Sequence, residues 1–442
     1  MDSSLGSIQS TGKRAALAHA VMIAMGVVTS IDASASTTTI FGGGATLPAA
    51  AYEGTSKADS TARLQTSVKA LSGSLFQVYL NNHSTVANVL DYCQTGSGTG
   101  RKVLDQTLLA SGVCPAFTAT PSGFGAPTSK PDFAASDAPL AQSDVSAVEA
   151  IPGATQPVQV PTVAASIAIA FHSVSGLSGT PSITDAMLCS IFSGAVTSWS
   201  KVSPGASGNI TVVYRSDGSG TSFSFANHLS NVCPQPHGAG TYFTTDQTFT
   251  NVIAHAGPGG TPAKYAASVG ASGNPGVATA LCTTTGGIAY VETQDALNRT
   301  GGALTYFKVQ PKGGSNYYDP IKDFAPSGKL TVSTTTNEVV SGVNSVGVAV
   351  LSAATGTTEG KCLIVANPAS YDNFTTEYPI VGVSNLLAYY SGNAHKAAVS
   401  ALLQQAAIEP AKATTIGAGK GYAYLTDTNS HITTAIINSC IN

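Results

Sequence analysis

From residue 37 onward the chain alternates short apolar, β-branched runs with segments whose apolar residues recur at helical spacing, and small residues stand at the joins. TTTIFGGGATLPAAAY (37–52) predicts a short strand, three glycines, and a helix that starts near Thr46. Residues 53–72 read as polar helix. DYCQTGSGTGRKVL (91–104) predicts a second small-residue turn and a second helix start. Residues 110–132 are loop by composition, and FAASDAPLAQSDVSAVEA (133–150) reads as strand, turn and helix.

VQVPTVAASIAIAFH (158–172) is a long apolar run of β-type residues, such as a central strand or an interdomain crossing would use. SITDAMLCSIFSGAVTSW (182–199) has helical spacing behind a Ser/Thr cap. NITVVYRSDGSGTSFSFANHLS (209–230) predicts strand, loop and helix, and 256–276 reads as Gly/Pro/Ala-rich loop. GGIAYVETQDAL (286–297) reads as a strand returning to the first half of the molecule. The remainder alternates strand and helix through EYPIVGVSNLLAYY (377–390) to a C-terminal helix. Such alternation predicts an α/β protein with mainly parallel sheets, whose ligands bind at the carboxyl ends of strands.

Length and composition narrow the partners. The 442 residues suffice for two lobes with their own cores. Charged residues make up 10%, with 20 basic against 23 acidic, so no basic excess is available to neutralise a nucleic acid or an anionic membrane. Lys13-Arg14, the apolar run 15–31 and the small-x-small site Ala33-Ser34-Ala35 predict a cleaved export signal over residues 1–35. The run is short for a membrane span and contains His19. The mature chain is therefore expected in the periplasm or outside the cell, with no stable membrane insertion. In that oxidising compartment the seven cysteines, none in CxxC spacing, are expected to form disulfides, with at least one left over.

The candidate chemistry lies at the joins. GGGATLP, TGSGTG and RSDGSGT each place small residues and a Ser or Thr at a predicted strand-to-helix turn. Such a turn aims backbone N–H groups and a hydroxyl at an anion, and Arg215 adds a guanidinium. Each motif alone reads as a capped turn before it reads as a site, and Arg101, just after TGSGTG, is expected to face solvent. Asp137 in AASDAPLA is either an N-cap or an acceptor for a proton that the ligand carries.

Taken together and in this order, these motifs resemble the phosphate-binding proteins of bacterial ABC transporters, and within that superfamily the DING proteins most of all. GGGATLPAAAY, TGSGTGRK, AASDAPL, QVPTVAASIAIAF, LCSIFSGAVTSW, VVYRSDGSGTSF, GGIAYV and EYPIVGVSNL carry the likeness across essentially the whole mature chain. The stretches around 53–95, 105–130 and 240–275 depart from it, and TIFGGGATLP replaces the DING letters themselves. At Asp217 some DING proteins have glutamate.

The resemblance implies a type II periplasmic-binding-protein fold: two α/β lobes, a two-strand hinge, and phosphate in the cleft. Lobe 1 would comprise 36–162 and 287–442, and lobe 2 residues 163–286. Thr46 and Leu47 would bind phosphate at the first turn, Ser97 at the second, and Ser219, Gly220 and Thr221 at the third. Arg215 would supply the charge, steadied by Asp217, and Asp137 would accept the ligand's proton. Cys189 and Cys233 would form a disulfide; Cys93, Cys114, Cys282, Cys362 and Cys440 are left without assignment.

The implied function is that of an exported, monomeric, high-affinity phosphate receptor for an ABC permease, without cofactor or metal. The alternative is a secreted DING-type phosphatase acting on phosphate monoesters. The residues favour the receptor: eight histidines show no HxxxH, HxH or HExxH spacing, and Ser97, Ser219 and Thr221 have no evident base nearby in sequence. A third reading is a secreted surface protein that keeps the binding fold.

Overall fold

The computed structural model describes residues 38–54, 70, 72–107, 130–153, 156–298, 302–326, 328–334, 336–356, 362–408, 419–425 and 431–442. The expected export signal lies outside these residues, as do most of the helix expected over 53–72 and of the loop expected over 110–132.

The first stretch contains β1 (Thr39–Gly44), α1 (Ala49–Glu53), α2 (Leu75–Asn82), β2 (Val89–Gln94), α3 (Ser97–Leu104), β3 (Ala134–Ser136), α4 (Gln142–Glu149) and β4 (Pro157–His172). Then come β5 (Ser182–Thr184), α5 (Asp185–Phe192), β6 (Thr211–Arg215), α6 (Gly220–Val232), α7 (Phe249–Val252), β7 (Ala267–Ala271), α8 (Gly273–Cys282), β8 (Gly287–Glu292) and α9 (Thr293–Leu297). The last part holds β9 (Thr305–Tyr306), β10 (Lys308–Gln310), β11 (Val332–Ser333), β12 (Glu338–Val343), β13 (Ala349–Ala353), β14 (Val365–Ala366), β15 (Val381–Tyr389), α10 (Lys396–Ala407), β16 (Tyr422–Tyr424) and α11 (Thr434–Ser439).

A single sheet runs through the molecule in the order β2-β1-β3-β15-β4-β8-β6-β7, with β16 and β9 also on β4. Its flanks are parallel: β1 pairs β2 and β3, and β6 pairs β7 and β8. Its centre is antiparallel, because β15 and β8 both return alongside β4 in the opposite sense. The expectation of mainly parallel pairing holds only outside that centre. Strand β4 is the axis of the arrangement, and every residue from Pro157 to Phe171 is buried. It exchanges its partner between Ser166, opposite Val381 of β15, and Ile167, opposite Glu292 of β8. A chain buried on both faces needs a continuous apolar run, which is what its sequence supplies.

The three glycines of TIFGGGATLP lie within β1, not in a turn after it. The reason is crowding. A Cβ on Gly42 would stand 2.4 Å from the Phe133 ring, and one on Gly44 would stand 2.2 Å from the Ala135 carbonyl. Gly44 also has a φ of 124°, outside the range open to most side chains.

Cys189 on α5 and Cys233, just after α6, form a disulfide. A second joins Cys362 to Cys440 behind α11. Cys93 is also disulfide-bonded, and Cys282 is a free thiol. Among the described residues no helix is long and apolar enough to cross a membrane.

Candidate anion-binding site

Three strand-to-helix turns come together in the structure. The first, Ala45–Pro48, links β1 to α1. Its Thr46 is not the helix cap; that position is Pro48, which has no capping side chain. The second links β2 to α3, where Gly96 caps with a φ of 92° and Ser97 opens the helix. The third links β6 to α6, where the Ser219 side chain accepts a bond from Ser222 N at 3.0 Å while Gly220 and Thr221 open the helix. The first N–H groups of an α-helix have no partner inside it, so each opening offers donors to an anion.

Close packing brings the second and third turns into backbone contact. Gly98 N donates to Gly218 O at 2.8 Å. A Cβ on Gly220 would meet Asp137 Cβ and Ser97 Oγ at 2.5 Å, and one on Gly96 would meet Asp217 Oδ2 at 2.3 Å. Glycine is required here so that groups from separate segments can converge.

The residues predicted from sequence are gathered in this one place. Thr46, Leu47, Ser97, Asp137, Arg215, Asp217, Ser219 and Thr221 are all at most 8% exposed. Arg215 donates to Asp217 through Nε and Nη2, and through Nη1 to Thr221 Oγ1 at 3.2 Å. Burial opposes its charge, but Asp217 foremost, with Tyr290 and Asp137, more than offsets this and holds the guanidinium's pKa above its ordinary value. The Leu47 side chain belongs to the apolar core and its carbonyl accepts from Tyr422 OH, so only its backbone is placed to serve a ligand. Arg101 does not simply face solvent, since it forms an ion pair with Asp144 of α4.

Asp137 follows β3 and is not an N-cap. Its Oδ1 accepts from Ser384 Oγ at 2.6 Å, its Oδ2 from Ser97 Oγ at 3.1 Å, and its own N–H donates to Ser97 Oγ at 3.0 Å. Burial pushes its carboxyl up to about 6, while the bonds from Ser384 and Ser97 and the charge of Arg215 pull the other way.

Sequence reasoning missed two members. Ser384 sits on β15, and Asn274 is the second residue of α8. Asn274 Nδ2 donates to Thr46 Oγ1 at 3.1 Å and to Thr221 Oγ1 at 3.0 Å, joining the first turn to the third. Its segment, SVGASGNPGVA, forms a fourth strand, small-residue turn and helix start, but lacks the β-branched run that marked the other three. A cavity of about 570 Å³ opens beside the turns, lined by residues that include Arg101, Gln142, Phe223, Gln247 and Val340. It includes none of the predicted residues, so the site is located by its chemistry and not by volume. Among the described residues no group of three or more His, Cys, Asp or Glu is placed to hold a metal ion.

A sequence profile of the PBP superfamily domain matches residues 48–358. The chain belongs to the PBP superfamily. Among curated proteins it is 30% identical over 328 residues to a phosphate-binding protein from an unknown prokaryotic organism, covering 70% of this chain and 77% of that one. It is also 31% identical over 273 residues to alkaline phosphatase L of Pseudomonas aeruginosa, where the match takes in 61% of this chain and 60% of the relative's length. Among solved structures, a high-affinity periplasmic phosphate-binding protein, PfluDING, superposes with a TM-score of 0.60 at 22% identity, covering 92% of this chain and 99% of that one. This PBP-superfamily chain thus has the two-lobed type II fold, with DING proteins among its structural neighbours.

Proposed function

We propose that the chain is an exported, high-affinity receptor for inorganic phosphate that serves an ABC permease and works as a monomer in the periplasm or outside the cell. The observation that carries this reading is the convergence of three helix openings and Arg215 on a site whose charged acceptor is Asp137. Donors of this kind suit any tetrahedral oxyanion. Phosphate near neutral pH keeps a proton for Asp137, whereas sulfate has none and would meet only repulsion and an unpaired buried charge. Thr46, Leu47, Ser97, Asp137, Arg215, Ser219, Gly220 and Thr221 would contact the ion, with Asp217 steadying Arg215. Lobe 1 would comprise 36–162 and 287–442, and lobe 2 residues 163–286; the change of partner along β4 near Ser166 supports a crossing in this region.

Native mass spectrometry of the purified chain tests the reading, with one phosphate carried through purification as the expected result. A chain that takes up no phosphate in calorimetric titration would overturn it.

The likeness to alkaline phosphatase L keeps a second reading open, hydrolysis of phosphate monoesters. Of the hydroxyls at the helix openings, Ser97 has a carboxylate beside it, with its Oγ 3.1 Å from Asp137 Oδ2. Turnover of p-nitrophenyl phosphate that disappears in Ser97→Ala would establish it.

A further inference from the structure

Asn274 occupies a position that binding alone does not require. Its backbone N–H donates to Thr46 Oγ1 at 3.2 Å, and its side-chain Nδ2 donates to the same oxygen at 3.1 Å and to Thr221 Oγ1 at 3.0 Å. Its Oδ1 accepts from Glu292 N at 3.2 Å, which fixes which end of the amide faces the threonines. The residue is fully buried.

A hydroxyl has one proton to donate and two lone pairs with which to accept. At Thr46 both lone pairs are taken by Asn274. At Thr221 one is taken by Asn274 and the other by Arg215 Nη1, at 3.2 Å. Each threonine is left with its proton and nothing else to offer. We infer that Asn274 is a positioning residue that locks Thr46 and Thr221 as hydrogen-bond donors, so that neither can accept a proton from the ligand. The inference rests on the phosphate reading above and deepens it. With the threonines locked, the ligand's single proton is directed to Asp137, and a second proton on the ligand would meet donor protons at both threonines. At these two positions the site thereby favours the singly protonated dianion, HPO4²⁻, over dihydrogen phosphate.

The titratable groups around this network are Asp137, Arg215 and Asp217 on the ligand side, with Glu292 and Asp295 behind Asn274. The variants used as tests change none of them.

The test is made on the acid side of phosphate's second ionisation, where the free ligand is mostly dihydrogen phosphate. Calorimetry in two buffers of different ionisation enthalpy counts the protons released on binding, and ³¹P NMR reports the protonation of bound phosphate. The unaltered protein is expected to release a proton and to hold the singly protonated form. In Asn274→Ala the hydroxyls can turn and present a lone pair. Proton release should then fall, the ³¹P signal should move toward the doubly protonated form, and affinity should drop about tenfold. Asn274→Asp keeps the side chain's shape but accepts the threonine protons, so it should lose about 100-fold or more and show the same shift in ligand protonation. Thr221→Val removes one donor and should weaken binding with proton release unchanged.

Proton release and a ³¹P position like those of the unaltered protein in Asn274→Ala, or in Asn274→Asp should the alanine variant not fold, overturn the inference. So does a Thr221→Val variant whose proton release changes as much as that of Asn274→Ala. A failure of the unaltered protein to bind phosphate is a separate result, which removes the phosphate reading itself.

Discussion

Arg215 and Asp217 form a two-pronged pair, with Nε donating to Oδ1 at 2.7 Å and Nη2 to Oδ2 at 2.5 Å. Their side chains are 1% and 4% exposed, so each charge depends on the other. Asp217 Oδ1 also accepts from Gly273 N at 3.1 Å, which ties the third turn to the start of α8 and places Asn274 against Thr46 and Thr221. One carboxylate therefore orients both the guanidinium and the amide.

Asp217→Ala should accordingly damage folding as well as binding. It leaves a buried guanidinium without its partner, which destabilises by about 3–5 kcal/mol in comparable cases. Urea unfolding of the ligand-free variant measures this. A loss under about 1 kcal/mol, the range of an exposed pair, would show that Arg215 reaches water.

Gly98→Ala tests the contact between the second and third turns. Its Cβ would stand 2.8 Å from Gly218 Cα, and backbone atoms on both sides leave little room to yield. Overpacking of this kind costs about 1–3 kcal/mol. If closure of the two turns builds the anion site, phosphate affinity should fall by roughly 10- to 100-fold. Calorimetry decides: an unchanged dissociation constant would mean that the turns need not touch when phosphate is bound.

The turns and their order were legible because each is a local signal, a β-branched run followed by small residues and a helix start. Asn274 and Ser384 were not, because their partners lie 228 and 247 residues away in sequence and only the fold unites them. Asn274 also sits in a stretch rich in Gly, Pro and Ala, where β7 and the start of α8 read as loop. The burial of β4 was plain from its apolar run, but the direction of its neighbours was not. Pattern along a strand does not state by which route the chain comes back. The glycines of β1 were misplaced for a similar reason, since the Phe133 ring that excludes a side chain at Gly42 is remote in sequence.

The Cys189–Cys233 disulfide spans a sequence separation of 44 and anchors the C-terminal end of α6 to α5. In the chain-entropy account, closing a loop of that length stabilises by about 4 kcal/mol. A Cys189→Ala, Cys233→Ala double variant should lose an amount of that order in urea unfolding and still bind phosphate, because Cys233 lies at the end of α6 opposite Ser219, Gly220 and Thr221. A variant of undiminished stability would show that the unfolded chain is already constrained by other means.

Asp137 sets stability against selectivity. Burial is the largest influence on its carboxyl and raises it from 3.8 to about 6, against the bonds from Ser384 and Ser97 and the charge of Arg215. Below the lower value the folded and unfolded chains are both protonated there. Between the two values the folded chain holds a proton that the unfolded chain has lost. Above about 6 both are ionised, and the folded state carries the whole desolvation penalty. Stability from this residue is therefore greatest in acid and is lost as pH rises through that window. Asp137→Asn removes the charge, so the ligand-free variant should exceed the unaltered protein by on the order of 2–3 kcal/mol above the window, and the gap should close below it. The same substitution removes an acceptor that cannot donate and supplies an amide that can, so sulfate should begin to compete with phosphate. Thermal unfolding across the pH range and sulfate competition in calorimetry check the two halves together. An Asn variant that gains no stability above the window, or that binds phosphate and still excludes sulfate, would show that the buried charge of Asp137 is not what selects the ligand.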